Sequence, residues 1–505
     1  MRRATAVLAN RIVAAAPSPA SARHDMKRGI PQFNRPLSDP RRSHAPSSAA
    51  AWNACYDRGR ALSKEHRLEE ALAEYRMAVA AAPEAMEPRR ELATTLFALG
   101  RAGEALHEFN DLSLRFPHSS EAANNLAKVL VALGRFELAF EAAQRALALD
   151  AQNVVAMHNL AEILKHLGSW DAARDVYAAS LSLDPDQPRA RMQYGMIQVA
   201  LGDWKAGWEA MEERTAAIGP SVLFPEAPPS PRWDGAEPIA SRHILIQHEQ
   251  GLGDSIMMVR FARTLADRGA TVHVRCPAPL TELLQTAGGV ATCTAVGTPF
   301  PPHDLHVPLM SLPALLAVTA EQVDGTAYLS PPGACPPHIV QRLPRDGVPT
   351  VAVTWAGNPL HINDHRRSIA GELLAPLLQL DGVRFVAMQK VPAMADVLPA
   401  ALRHRIADVG AECGSFAESA HALQRVDLVV TVDTAVAHLA GAIGTPTLLC
   451  LPFCPDFRWG VSHARSPWYQ GMTILRQREA SGWSDVIADV VARVGQLRDT
   501  SLEVH

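Results

Sequence analysis

Two kinds of apolar periodicity divide the chain. Across residues 51–220 small residues recur at a fixed step: Gly100, Gly134, Gly168 and Gly202 stand 34 residues apart, and His66 holds the same slot in the first copy. Ala71, Ala105, Ala139 and Ala173 keep that step, Gly207 continues it, and Pro83, Pro117 and Pro185 mark copy ends, with Ala151 standing in once. Such spacing predicts pairs of antiparallel helices: Gly permits the tight turn, Ala lets the two helices approach, and Pro stops the second. Beyond about residue 240 the pattern changes to short β-branched and aliphatic runs at 243–247, 271–276, 350–359 (strand and turn), 383–390, 427–432 and 445–452, separated by helix-period stretches. The order strand, turn, helix, strand, given twice, predicts two doubly wound α/β halves.

The 34-residue period is the tetratricopeptide pattern, with five copies over about residues 51–220. A single copy cannot bury its apolar face, so the copies stack into a curved solenoid whose concave surface suits an extended peptide or another partner. Pro-rich residues 223–238 break the helical period, which places a linker at about 221–240. The expected organisation is therefore an α-solenoid, a linker, a first Rossmann-like half at 241–345 and a second at 346–505.

Composition narrows the function classes. A chain of 505 residues is long for one core, and 48% hydrophobic with 20% charged residues is globular. The net charge of -4 gives no general reason to expect nucleic acid. Seven scattered cysteines form no CxxC pair, which fits a reducing compartment and hence the cytoplasm. No apolar run reaches the roughly 20 residues that cross a bilayer, so no transmembrane helix is expected, while peripheral membrane association stays compatible. Residues 1–50 hold nine Lys/Arg against Asp25 and Asp39 and read as a disordered basic leader, or as a misassigned start. Arg11 interrupts the apolar stretch that a signal peptide would need.

The candidate chemistry lies at strand ends. Residues 426–444 read as a buried strand, a polar turn in which Asp433 and Thr434 supply N-cap chemistry, and a small-residue helix closed by Gly444. A helix N-terminus at the carboxyl edge of a parallel sheet favours phosphate, and His438 shares a helical face with Thr434. An ordinary capped helix with a core histidine is the plainer alternative. In the first half, Gln250, Gly251, Gly253 and Asp254 form a GxGD turn without the third Gly of a dinucleotide fingerprint, so a dehydrogenase is poorly supported. The glycines let a backbone approach a bound group closely, and Asp254 is either a helix cap or a general base. Arg366 and Arg367 precede a helix and suit phosphate as planar forks. Trp355, Ala356, Gly357 and Asn358, with Gln389 and Lys390, end strands at the same edge. Aromatic residues at 453–460 and 466–469, with Asp456 and Arg458, either stack on a base or sugar or pack the final helices.

With these residues in place, residues 240–490 resemble the ADP-heptose:lipopolysaccharide heptosyltransferases of glycosyltransferase family 9. GLGDSI, RRSI and above all VDTAVAHLAGAIGTP carry the likeness. With the repeats, the whole is also similar to the O-GlcNAc transferase architecture. The resemblance implies a GT-B fold and a metal-independent, inverting transfer, of hexosyl or heptosyl type, from a nucleotide sugar. It implies Asp254 as the base, Arg366 and Arg367 on the donor diphosphate, and Asp433, Thr434 and His438 at the nucleotide sugar, with Gly357 and Asn358 beside them. Gln250, Gly251 and Gly253 then line the acceptor side or shape its loop. No metal or other cofactor is expected. The first half is short for the family, where acceptor elements reside, so the repeats are expected to help hold a protein or glycan acceptor. The alternative is a non-catalytic scaffold with a degenerate transferase domain.

Overall fold

The computed structural model describes residues 48–361, 363–480 and 482–502, so the basic leader lies outside the described residues except for its last three, which open the first helix. The chain divides into two compact units, Met1–Ala190 and Arg191–His505. In the first unit four helix pairs follow the expected copies: Ser48–Lys64 with Leu68–Ala81, Met86–Ala98 with Ala102–Arg115, Ser120–Ala132 with Phe136–Leu149, and Val154–His166 with Trp170–Leu183. The turn residues Gly100, Gly134 and Gly168 have φ of +74°, +69° and +75°. His66 adopts φ +59° in the same slot, which an L-residue does at a cost that Gly escapes. Ala71, Ala105, Ala139 and Ala173 are fully buried between paired helices.

The fifth pair, Pro188–Leu201 and Trp204–Met211, completes the five expected copies. The unit border falls inside the first of these helices, and the second belongs with the α/β part. The cause is aromatic packing plus one buried ion pair. Trp204 stacks on Trp468 at 4.5 Å between ring centres, and Trp208 meets Phe457 and Trp468 edge-on. Arg214, just beyond the pair, donates to both carboxylate oxygens of Glu249 at 2.9 and 2.8 Å.

Residues 221–240, the expected linker, pack against the first sheet. Trp233 is buried and its backbone N–H donates to His306 O at 2.8 Å. The Glu226 carboxylate pairs with buried Arg275, and its carbonyl accepts from Gln247 Nε2 at 2.6 Å. This segment therefore runs along the first sheet, held by side chains at the ends of its strands.

That sheet contains β1 (His243–Gln247), β2 (Thr271–Cys276), β3 (Val290–Ala295) and β4 (Leu305–Pro308) in the order β3-β2-β1-β4, all parallel. The second contains β5 (Thr350–Thr354), β6 (Arg384–Ala387), β7 (Ile406–Asp408), β8 (Leu428–Val432), β9 (Thr447–Leu451) and β10 (Met472–Arg476) in the order β10-β9-β8-β5-β6-β7, again parallel. The strands β1, β2, β5, β8 and β9 are near-continuous buried runs, as in a sheet covered on both faces, while the edge strand β3 is partly exposed. The final helix, Ser484–Leu502, buries Val486, Ile487, Val490 and Val494 in the second core. The strand order reverses between β1 and β4 in one sheet and between β5 and β8 in the other, which marks two ligand-type crevices at carboxyl edges. The result is a GT-B-like α/β module after a tetratricopeptide solenoid.

Candidate functional site

The two crevices abut. After β1 the chain turns through Gln250, whose φ of +64° is unusual for a side-chain-bearing residue, into the short helix Leu252–Met258. Beyond β8 it enters the helix Ala435–Ala442, and these two helices pack together. Gly253 makes the contact possible: a Cβ there would stand 2.6 Å from His438 Cδ2.

Asp254 is the third residue of its helix. Its Oδ2 accepts from the Gly251 N–H at 3.0 Å, the cap alternative, and its Oδ1 pairs with Arg458 Nη2 at 2.6 Å. Arg458 comes from the loop after β9, so this ion pair joins the two halves. Its Nη1 donates to Asp456 Oδ1 at 2.8 Å, its Nη2 lies 3.5 Å from Gln250 Oε1, and its guanidinium carbon lies 4.4 Å from the centre of the Phe457 ring. The buried Nε finds no hydrogen-bond partner among the described residues. Burial disfavours the charge on this guanidinium, but Asp254, Asp456 and Asp433 outweigh that and raise its pKa.

Asp433 caps nothing. The N-cap residue is Thr434, whose hydroxyl lies 3.3 Å from Thr431 Oγ1 and makes no cap bond, so the joint capping role expected of this pair is corrected. Asp433 is half-buried, and burial, then the like charge of Asp456, push its carboxyl up to about 6 against the pull of Arg367 and Arg458. Burial likewise pushes the Asp456 carboxyl up, but Arg458 holds it below the usual range.

His438 is 4% exposed, stacks on Trp459 and shares a 2.9 Å hydrogen bond between Nδ1 and the Tyr469 hydroxyl. Burial, and secondarily Arg458, push it down to about 3, so it is neutral. Its place is the seam between the two helices, which is the core-histidine alternative.

Arg366 and Arg367 end the short helix Asp364–Arg367 and do precede another, Gly371–Leu374. Arg367 Nε donates to Asp364 Oδ1 at 3.2 Å. Arg367 crosses Gly357, where a Cβ would stand 2.6 Å from its Nη2, while Arg366 turns to His365. Asn358 is exposed and accepts from the Leu360 N–H in a local turn. Gln389 is structural: it is buried, and its amide bonds the backbone of Trp355, Ala356 and Val391. Lys390 points to the Cys413 carbonyl. The aromatic residues Phe457, Trp459, Trp468 and Tyr469 are buried, so packing wins over stacking on a ligand.

The site thus brings together Asp254, Asp433 and Arg367 with two residues read at first as part of an aromatic cluster, Asp456 and Arg458. The available signal was two charges in an otherwise apolar, Pro-containing loop directly after a buried strand. Glu249 and Arg214 were not singled out at all. Glu249 also accepts from the Met310 N–H at 2.7 Å, which ties β1 to β4 at the reversal point of the first sheet. A cavity of about 380 Å³ sits at the amino ends of β6 and β7, the opposite edge of the second sheet. Among the described residues no three His, Cys, Asp or Glu side chains converge as a metal-holding group, and no helix is long and apolar enough to cross a membrane.

Comparison with known proteins adds the family signals. Residues 373–450, which include Asp433, Thr434 and His438, match the model described as glycosyltransferase family 9 (heptosyltransferase). Residues 56–115, 90–154 and 130–195 match tetratricopeptide-repeat models. Protein FlbA of Caulobacter vibrioides is 25% identical over 320 residues, covering 56% of this chain and 51% of that protein, so the chain spans about half the length of this curated relative. Among solved structures, MamA from Desulfovibrio magneticus RS-1 is 16% identical with a TM-score of 0.29, covering 34% of this chain and 96% of that one. A thermophilic TPR protein of Thermus thermophilus is 21% identical with a TM-score of 0.30, covering 33% and 91%.

Proposed function

Because the chain joins tetratricopeptide repeats to a glycosyltransferase family 9 region, we propose that it transfers a hexosyl or heptosyl group from a nucleotide sugar to a protein or glycan acceptor held partly by the repeats. The observation that carries this reading is the cluster of Asp254, Asp433, Arg367 and Arg458 where the two reversal points meet. Arg367 and the free N–H groups of the helix at Thr434 offer positive charge to a diphosphate, which needs it most as the leaving group departs. Asp254 is the proposed base: it accepts the acceptor's hydroxyl proton while that oxygen attacks the anomeric carbon and the diphosphate leaves from the opposite face, which inverts the centre. With arginines stabilising the leaving group, the transfer proceeds without a metal. A cytoplasmic setting is part of the proposal and is supported by seven cysteines, none of them in a disulfide among the described residues.

The test is calorimetric titration of the chain with a panel of nucleotide sugars in EDTA, with and without Asp433→Ala, followed by transfer assays on protein and lipid-linked glycan acceptors. Binding of one nucleotide family that the substitution abolishes supports the donor site; no binding by any of the panel refutes it. The second reading, a scaffold with an inactive transferase domain, draws on one observation: both oxygens of Asp254 are engaged. Donor binding without transfer to any acceptor would favour it.

A further inference from the structure

We infer that Arg458 binds the donor's diphosphate, and that it does so by giving up Asp254, so that donor binding itself releases the carboxylate which the acceptor hydroxyl needs. This rests on the glycosyl transfer proposed for the same site.

The geometry supplies the exchange. Arg458 is a fork of five donors. One terminal nitrogen is held by Asp456 on its own loop, the other reaches across to Asp254 in the other half, and Nε is buried without a partner among the described residues. The Asp456 bond anchors the side chain, so the outward face is the one that can change partners. Arg458, paired with Asp254 and Asp456, and Arg367, paired with Asp364, both lie near enough to Asp433 to pull its charge, so both guanidinium groups stand close to the N-terminus of the helix Ala435–Ala442. Two planar forks converging at a helix N-terminus are a match for a diphosphate, whose oxygens accept bidentate bonds.

Charge explains why the exchange is needed and what it yields. Asp254, Asp456, Asp433 and Asp364 outnumber the two arginines, so an anion enters only if a carboxylate withdraws. Asp254 is the one that can, because its other bond is to the Gly251 N–H, which keeps it at the helix start. Once released, it faces phosphate charge in place of a guanidinium, and a carboxylate beside like charge takes a proton more readily. Donor first, acceptor second, is the order this imposes.

The test is calorimetric titration of the full chain with ADP, UDP and GDP, for the wild type, Asp254→Asn, Arg458→Gln, Arg458→Lys and the Asp254→Asn/Arg458→Gln pair. Arg458→Gln should weaken the nucleoside diphosphate that binds by about 10-fold or more, with Arg458→Lys between. Asp254→Asn should tighten it several-fold, an effect misfolding cannot produce, and the double variant should match Arg458→Gln alone. Unchanged or weaker binding by Asp254→Asn overturns the exchange, as does a gain that persists without Arg458. A wild type that binds none of the three refutes the proposed nucleotide-sugar site, and the exchange with it.

Discussion

Removing Arg214 should cost the second unit more than any other change in the repeats. Its side chain is 1% exposed and that of Glu249 is fully buried. Arg214 donates to both Glu249 oxygens, to Ser311 Oγ at 2.7 Å and to Glu212 at 2.7 Å. Arg214→Met therefore leaves a carboxylate buried with the Met310 N–H as its remaining bond. Breaking such a pair costs about 3–5 kcal/mol, far above the value of a surface pair, because the surviving charge stays out of water. At about 2 °C per kcal/mol, the lower end for domains of 150–250 residues, Tm should fall by about 6–10 °C. Urea unfolding followed by tryptophan fluorescence reads the same region, since Trp204, Trp208 and Trp468 pack together there. Arg214→Met/Glu249→Leu should recover much of the loss, since an apolar pair removes the stranded charge. Truncation makes the same point in larger form: a chain starting at residue 191 should fold, whereas one starting at 221 strips Trp468 and Glu249 of their partners and should not. A loss below about 1 kcal/mol for Arg214→Met, or a folded 221–505 fragment, would refute the claim that the fifth repeat is built into the α/β unit.

Three further outcomes are expected. His66→Gly should stabilise the repeat unit by about 0.5–1 kcal/mol in chemical denaturation, because His66 sits at φ +59° where the other copies have Gly; a loss of stability would contradict the strain argument. Gly253→Ala should destabilise by about 1–3 kcal/mol and weaken nucleotide binding, since its Cβ would press on a His438 ring pinned between Trp459 and Tyr469; a neutral melting curve would show the helices can part freely. His438, pushed from 6.5 down to about 3 chiefly by burial, is neutral in the fold while the unfolded chain takes a proton below about pH 6.5, so stability falls as pH drops through that window. Asp433, raised from 3.8 to about 6 chiefly by burial, opposes it: its contribution is present at low pH and fades as pH rises through about 6. Between pH 6.5 and 5 the wild type should lose about 1.6 kcal/mol more than His438→Gln, as the slope rises from about 0.7 to about 1.4 kcal/mol per pH unit; equal losses would rule out a neutral, buried His438.

What the sequence made legible is what local rules encode. The helix pairs follow from glycines that take positive φ and alanines with no room around them, and both signals are properties of one residue in one turn. The parallel strands follow from apolar runs, and so do the turns after β1 and β8 on which the candidates Asp254 and Asp433 stand. What stayed hidden depends on residues far apart in the chain. Nothing near Arg214 announces that Glu249 lies 35 positions on, or that a repeat ends by bracing the first sheet. Period alone therefore finds the fifth helix pair but not that it packs with the α/β part. The loop after β9 misled for a related reason: its aromatic residues suggest a stacking surface, but Trp459 and Phe457 fill the seam between halves, and the charges beside them go to the site. The same loop thus packs against the fifth repeat through Phe457 and holds Asp254 through Arg458. A perturbation of the Trp204 and Trp208 packing is then felt one residue away from the guanidinium proposed to receive the donor, which gives the fifth repeat a physical route to the proposed site.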